Sequence, residues 1–181
     1  YFFAILGFNA YFILLDDCLD VKFKFGTFGS SAILVVAGMA MAFGSSVLMG
    51  PVSSRYRQIR TIVATIIVQA LFVALFMINE ASLLAYVLVL PIMTAFSIMY
   101  PILLSMLSEA VDSTEQGWVM GVSIALFTLG SGSISLIGGL TMASNPNLPF
   151  MVSVGAFAIA LLLVATVWRS PLVVGLDPKN R

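Results

Sequence analysis

The chain has 181 residues, of which 61% are hydrophobic and only 9% charged, with no net charge, whereas an average soluble domain is about 25% charged. So few charges cannot cover a soluble fold, which excludes a soluble enzyme and a disordered tail, and the missing basic footprint excludes a nucleic-acid binder. The lack of histidine removes His-based zinc sites and Ser-His-Asp triads, and the single Cys18 cannot form an intrachain disulfide.

What remains is an all-helical integral membrane protein, in keeping with a mean hydropathy of +1.12. A spanning helix needs about 20 apolar residues, and the charges fall in narrow bands between such runs. The chain starts at Tyr1, inside an apolar run and without methionine, which reads as a cropped chain with a truncated first helix. The first helix, 1–19, ends among Asp16, Asp17, Asp20, Lys22 and Lys24. The second, 28–52, runs up to Arg55, Arg57 and Arg60, and the third, 60–79, stops at Glu80. The fourth, 82–108, contains Pro91 and Pro101 and ends at Glu109, Asp112 and Glu115. The uncharged stretch 116–168 is about twice one span, and the polar string Ser144–Pro149 divides it into helices 116–142 and 149–168. A tail, 169–181, follows. The long continuous apolar runs lack the alternation of a membrane barrel.

Lys and Arg set orientation. Arg55, Arg57 and Arg60 share a side with Arg169, Lys179 and Arg181, against Lys22 and Lys24 on the other. This makes the 2–3 loop and the C-terminus cytoplasmic. A polar side chain in hydrocarbon is costly and should face the bundle or a cavity. Asn9 and Gln69 are the strongest such positions. Thr94, Ser97, Tyr100 and Ser105 form a second set on the fourth helix, and Tyr11 is a further candidate for stacking. Pro91 and Pro101 bracket that set and would free the carbonyls of Val87 and Ser97. The same polar residues could equally be glue between packed helices. Asp16 and Asp17 read as solvated interface residues or, less readily, as proton carriers. The fifth helix is rich in small residues. Gly117, Gly121, Gly130, Gly138 and Gly139 would let helix backbones approach closely. Tyr56, Trp118 and Trp168 lie near expected interfaces. Gly130-x-Gly132 sits inside a span with no lysine and carries no nucleotide role.

Two stretches resemble a known family. Gly50-Pro51-Val52-Ser53-Ser54-Arg55-Tyr56-Arg57-Gln58-Ile59-Arg60 is similar to the loop motif between the second and third helices of each six-helix half of the major facilitator superfamily. Gly50 and Arg55 match, while Ser54 and Arg57 stand where the motif has Asp and Gly. Met106-Leu107-Ser108-Glu109-Ala110-Val111-Asp112-Ser113-Thr114-Glu115-Gln116-Gly117-Trp118-Val119-Met120-Gly121 resembles the segment joining helices 10 and 11 of drug–proton antiporters of the tetracycline-exporter type.

The resemblance spans the chain and implies helices 7–12, a six-helix bundle that is half of a twelve-helix fold. It implies a transporter rather than an enzyme, moving a small amphipathic molecule by alternating access. The coupling ion would be the proton, with no cofactor or metal. Gln69 stands where the exporters carry an intramembrane acid, so proton-carrying acids are expected in the N-terminal six-helix half. That half, the substrate and the lipid bilayer are the implied partners, in a bacterial inner membrane. Asn9, Tyr11, Gln69, Thr94, Ser97, Tyr100 and Ser105 would contribute to the substrate cavity. Gly50, Arg55, Arg57 and Arg60 would form a conformational latch, or serve only as topology anchors. A nutrient or metabolite symporter of the same fold, and a non-transporting structural subunit, are the alternatives.

Overall fold

Hydrocarbon offers the backbone no hydrogen-bond partner, so a spanning segment must satisfy its N–H and C=O groups within itself. In the computed structural model the apolar runs do so as six helices. It describes residues 1–141, 145 and 147–167, without the surroundings of the side chains at 139–141 and 167. Span 1 is Phe2–Phe23, span 2 Gly26–Arg55, span 3 Gln58–Ile78 and span 4 Ser82–Glu109. Span 5 is Gln116–Thr141 and span 6 Leu148–Val167. There is no strand among the described residues. The expected tail, 169–181, and Trp168 lie outside the described residues.

Span 1 runs past residue 19 to Phe23, although the charges there suggested an earlier end. Asp16, Asp17 and Asp20 all lie on its exposed side. Lys22 stretches to the end of span 3, donating to the Phe76 and Met77 carbonyls at 3.3 and 2.5 Å. A cation is favoured there, because the last carbonyls of a helix lack intrahelical donors. The chain then turns through Lys24 at φ 53°, whose N–H caps the Asp20 carbonyl. Gly26 follows at φ 61°, a value that suits a residue without a Cβ.

Two spans are irregular. A turn at Ile13 and Leu14 interrupts span 1 between Phe12 and Leu15. Span 2 contains a π-turn at Gly44–Leu48, where the Ser45 and Ser46 hydroxyls both donate to the Ala42 carbonyl. Span 4, in contrast, passes through Pro91 and Pro101 as one unbroken helix.

The packing follows a repeat. Span 4 packs extensively on both span 2 and span 3; span 1 packs most extensively on span 6 and then on span 5; spans 3 and 6 pack on each other. Exchanging 1 with 4, 2 with 5 and 3 with 6 leaves these principal pairs unchanged. Each triplet has an odd number of spans, so the two repeats cross the membrane in opposite senses, the inverted arrangement common in transporters.

Close contacts hold the inner helices. A Cβ on Gly7 would lie 2.8 Å from the Phe157 ring, and Ser153 Oγ donates to the Gly7 carbonyl at 2.6 Å. Tyr11, Phe76 and Phe150 meet with ring centroids 5.4 to 5.9 Å apart. Burial is uneven. The apolar stretches of spans 1 and 4 are 61% and 56% buried, whereas those of spans 2 and 5 are only 22% and 17% buried.

Candidate substrate-cavity wall

Span 4 holds four of the polar candidates, and they differ in setting. Thr94 is half-buried and its Oγ1 donates to the Ala40 carbonyl of span 2 at 3.4 Å. Ser97, nearly one turn on, is buried and donates to the Thr94 carbonyl at 2.9 Å. It lies against Gly44 so closely that a Cβ there would overlap Ser97 Oγ and come within 3.0 Å of the Thr94 carbonyl oxygen. The π-turn of span 2 therefore seats its first residue in a gap on span 4 that only glycine fits. Tyr100 is half-buried, with its ring 5.5 Å from Phe96 and 6.1 Å from Phe127 of span 5. Phe96 in turn stacks on Phe8 of span 1 at 3.4 Å. Ser105 is exposed near the end of the span and donates to Glu109 Oε1 at 2.7 Å.

Asn9 lies in the seam between spans 1 and 5. It is 1% exposed, and its Nδ2 donates to the Phe127 carbonyl at 3.3 Å. Gly130 is adjacent, where a Cβ would lie 3.5 Å from the Asn9 amide. The structure thus gathers Asn9, Thr94, Ser97 and Tyr100 along one set of seams joining spans 1, 2, 4 and 5, with the Phe8, Phe96 and Phe127 rings between them.

Tyr11 and Gln69 lie elsewhere. Tyr11 is fully buried against Phe76 of span 3 and Phe150 of span 6, and its hydroxyl has no hydrogen-bond partner among the described residues. Gln69 is also fully buried. Its Nε2 donates to the Thr65 carbonyl at 3.3 Å and to Met99 Sδ at 3.4 Å, while Oε1 has no partner among the described residues. A buried polar atom in that state costs about 1–3 kcal/mol, so Gln69 sits in the span 3–span 4 core at some expense.

The small residues of span 5 divide by face. Gly130 and Gly138 turn toward span 1, Gly138 directly onto Leu14. Gly117 and Gly121 face open space, as does Gly132. Gly139 lies outside the residues whose surroundings are described. On the open face, Ala125, Thr128, Gly132 and Ser133 border a shallow groove with Leu129 and Leu136. Span 2 has a similar open face, with nothing among the described residues near a Cβ at Gly38 or Gly50. Of the proposed latch loop, Arg55 and Arg60 are exposed, and Arg57 precedes the first turn of span 3. Among the described residues no group of His, Cys, Asp and Glu is arranged to hold a metal.

Sequence reasoning missed three participants. Gly44 was visible only as one of several small residues in its helix. The Phe8, Phe96 and Phe127 rings carry no polar atom to single them out. Lys22 reads as a topology charge, yet it ties span 1 to span 3.

Residues 1–180 match the Major Facilitator Superfamily. The chain belongs to that superfamily. It is therefore a multi-pass membrane transporter of that superfamily, which comprises transporters rather than enzymes. No curated protein and no solved structure matches it.

Proposed function

We propose that this bundle is the C-terminal half of an alternating-access transporter and forms one wall of a midplane cavity. Its substrate is a small amphipathic molecule, moved by proton-coupled efflux. The observation that carries this reading is the uneven burial of the spans. Spans 1 and 4 are enclosed, while spans 2 and 5 leave faces open on which small residues are frequent. A second six-helix half packed on those faces would complete the cavity and slide or rock on them, since small residues allow close helix approach.

Within this wall, Thr94 and Tyr100 are half-buried on span 4 and are the residues best placed to meet a substrate. Thr94 offers a hydroxyl and Tyr100 an aromatic face backed by Phe96 and Phe127. Asn9 and Ser97 hold the seams behind them. Gln69 and Tyr11 contribute to the core instead. The interrupted turn in span 1 and the π-turn in span 2 fit a cavity-lining role, since irregular helices at membrane depth occur where they line a cavity or are covered by protein.

Flux of the full-length protein in proteoliposomes tests this, with ethidium as the amphipathic probe. The expected result is dye movement against an imposed proton gradient, with Tyr100→Ala slowing it about tenfold, the equivalent of about 1.4 kcal/mol. Dye movement in the same direction as the protons would replace efflux by symport. Absence of any flux with ethidium and related dyes would remove the transport reading for this substrate class.

A further inference from the structure

The 2–3 connection concentrates positive charge, and its two helices carry no acid. Residues 25–79 contain Arg55, Arg57 and Arg60 and no acid. Among the described residues, neither Arg55 nor Arg60 has a carboxylate partner, and both are exposed. Arg60 also stands in the first turn of span 3, the end of a helix that favours an anion over a cation.

At this point an open groove of about 370 Å³ begins. Tyr56 and Arg60 stand at its mouth. Val52 of span 2, Ala64 and Val68 of span 3, and Ile98 of span 4 form its walls. Two threonines also border it, but their hydroxyls are turned away. Thr61 Oγ1 donates to the Arg57 carbonyl at 3.3 Å, and Thr65 Oγ1 donates to the Thr61 and Ile62 carbonyls at 2.9 Å. With those hydroxyls satisfied by their own helix, the trough is hydrocarbon along its length and cationic at one end.

That combination matches an amphiphile with an anionic head and a hydrocarbon tail. A free phosphate would leave the trough unused, and a zwitterionic lipid would leave the guanidinium without a net counter-charge. We infer that the groove seats one acyl chain of an anionic phospholipid whose phosphate rests on Arg60, with Arg55 adding to the field. The Lys and Arg distribution puts this mouth at the cytoplasmic leaflet, where anionic lipids are concentrated and basic clusters beside spans attract them. The seated lipid would bridge the end of span 2, the start of span 3 and the flank of span 4.

Native mass spectrometry of the purified full-length protein tests the site, using dioleoyl-phosphatidylglycerol and dioleoyl-phosphatidylcholine as probes. The wild type should retain phosphatidylglycerol in preference to phosphatidylcholine. Arg60→Gln should lower retained phosphatidylglycerol about fivefold, the effect of one basic residue near an anionic surface. Ala64→Trp and Val68→Phe, which fill the trough and keep every arginine, should lower it at least as much. Inorganic phosphate should not displace the lipid. Equal retention of the two lipids would overturn the inference, as would undiminished retention in Arg60→Gln. Undiminished retention in both trough-filling variants would also overturn it, because the attraction would then be diffuse surface charge.

Discussion

Spans 4 and 5 are neighbours of comparable length, yet they use their polar and small residues in opposite ways. Span 4 is 56% buried and span 5 only 17%. On span 4 the hydroxyls of Thr94 and Ser97 are spent on carbonyls, one across to span 2 and one within the helix. On span 5 a narrow stripe through Ser123, Gly130, Ile134 and Gly138 is buried, and a face with Gly121, Ala125, Gly132 and Ser133 is open. The same residue classes thus serve cohesion inside the bundle on one helix and a face with no neighbour among the described residues on the other. Small residues identify a close helix contact only when a partner is present.

Substitutions can break this contrast, and the largest effect is expected at Gly44. Gly44→Leu forces a side chain into Ser97 Oγ and the Thr94 carbonyl, costing about 3 kcal/mol at the upper end of overpacking penalties. Thermal unfolding in detergent should show a clear fall in melting temperature. Lys22→Met removes the tie to the Phe76 and Met77 carbonyls and should cost about 1 kcal/mol by the same measurement. Asn9→Ala removes its bond to the Phe127 carbonyl, which still accepts from Ser131 Oγ, and should cost about 0.6 kcal/mol, the average for an interhelical hydrogen bond in a membrane protein. Gln69→Met removes an oxygen that has no partner among the described residues while keeping volume near Met99. It should be neutral or slightly stabilising, and dye flux should persist. A loss of more than about 1 kcal/mol there would mean that Oε1 is satisfied by a bound water. Gly132→Leu on the open face of span 5 should change the stability of this bundle by less than about 0.5 kcal/mol.

Much of the fold was legible because charge is excluded from hydrocarbon, so the charge bands in the sequence mark the span ends, except between spans 5 and 6, where the uncharged polar string Ser144–Pro149 does so. The rule misplaces the end of span 1 because a helix can continue through charged residues at an interface. There Asp16, Asp17 and Asp20 face outward and Lys22 snorkels to the carbonyls of another helix. The candidate wall was less legible. In a soluble helix the polar side points to water, but these spans are apolar all round, so periodicity does not tell which side faces a neighbour. Gln69 and Thr94 are both polar residues in apolar runs, and only the packing separates a core glutamine from a threonine at the edge of a seam. The π-turn at Gly44–Leu48 left no sequence signal beyond one more glycine.

The central claim is that the open faces of spans 2 and 5 meet a second half during transport, and paired tryptophan substitutions test it most directly. Ethidium flux would be measured for the full-length protein carrying Gly38→Trp or Gly132→Trp, and for Leu71→Trp or Leu162→Trp on the exposed sides of spans 3 and 6. The account predicts that the first pair abolishes flux while the second pair leaves it intact, with all four proteins folded. Unimpaired flux in the Gly38 and Gly132 variants would contradict it, since those faces would then be ordinary lipid-facing surface.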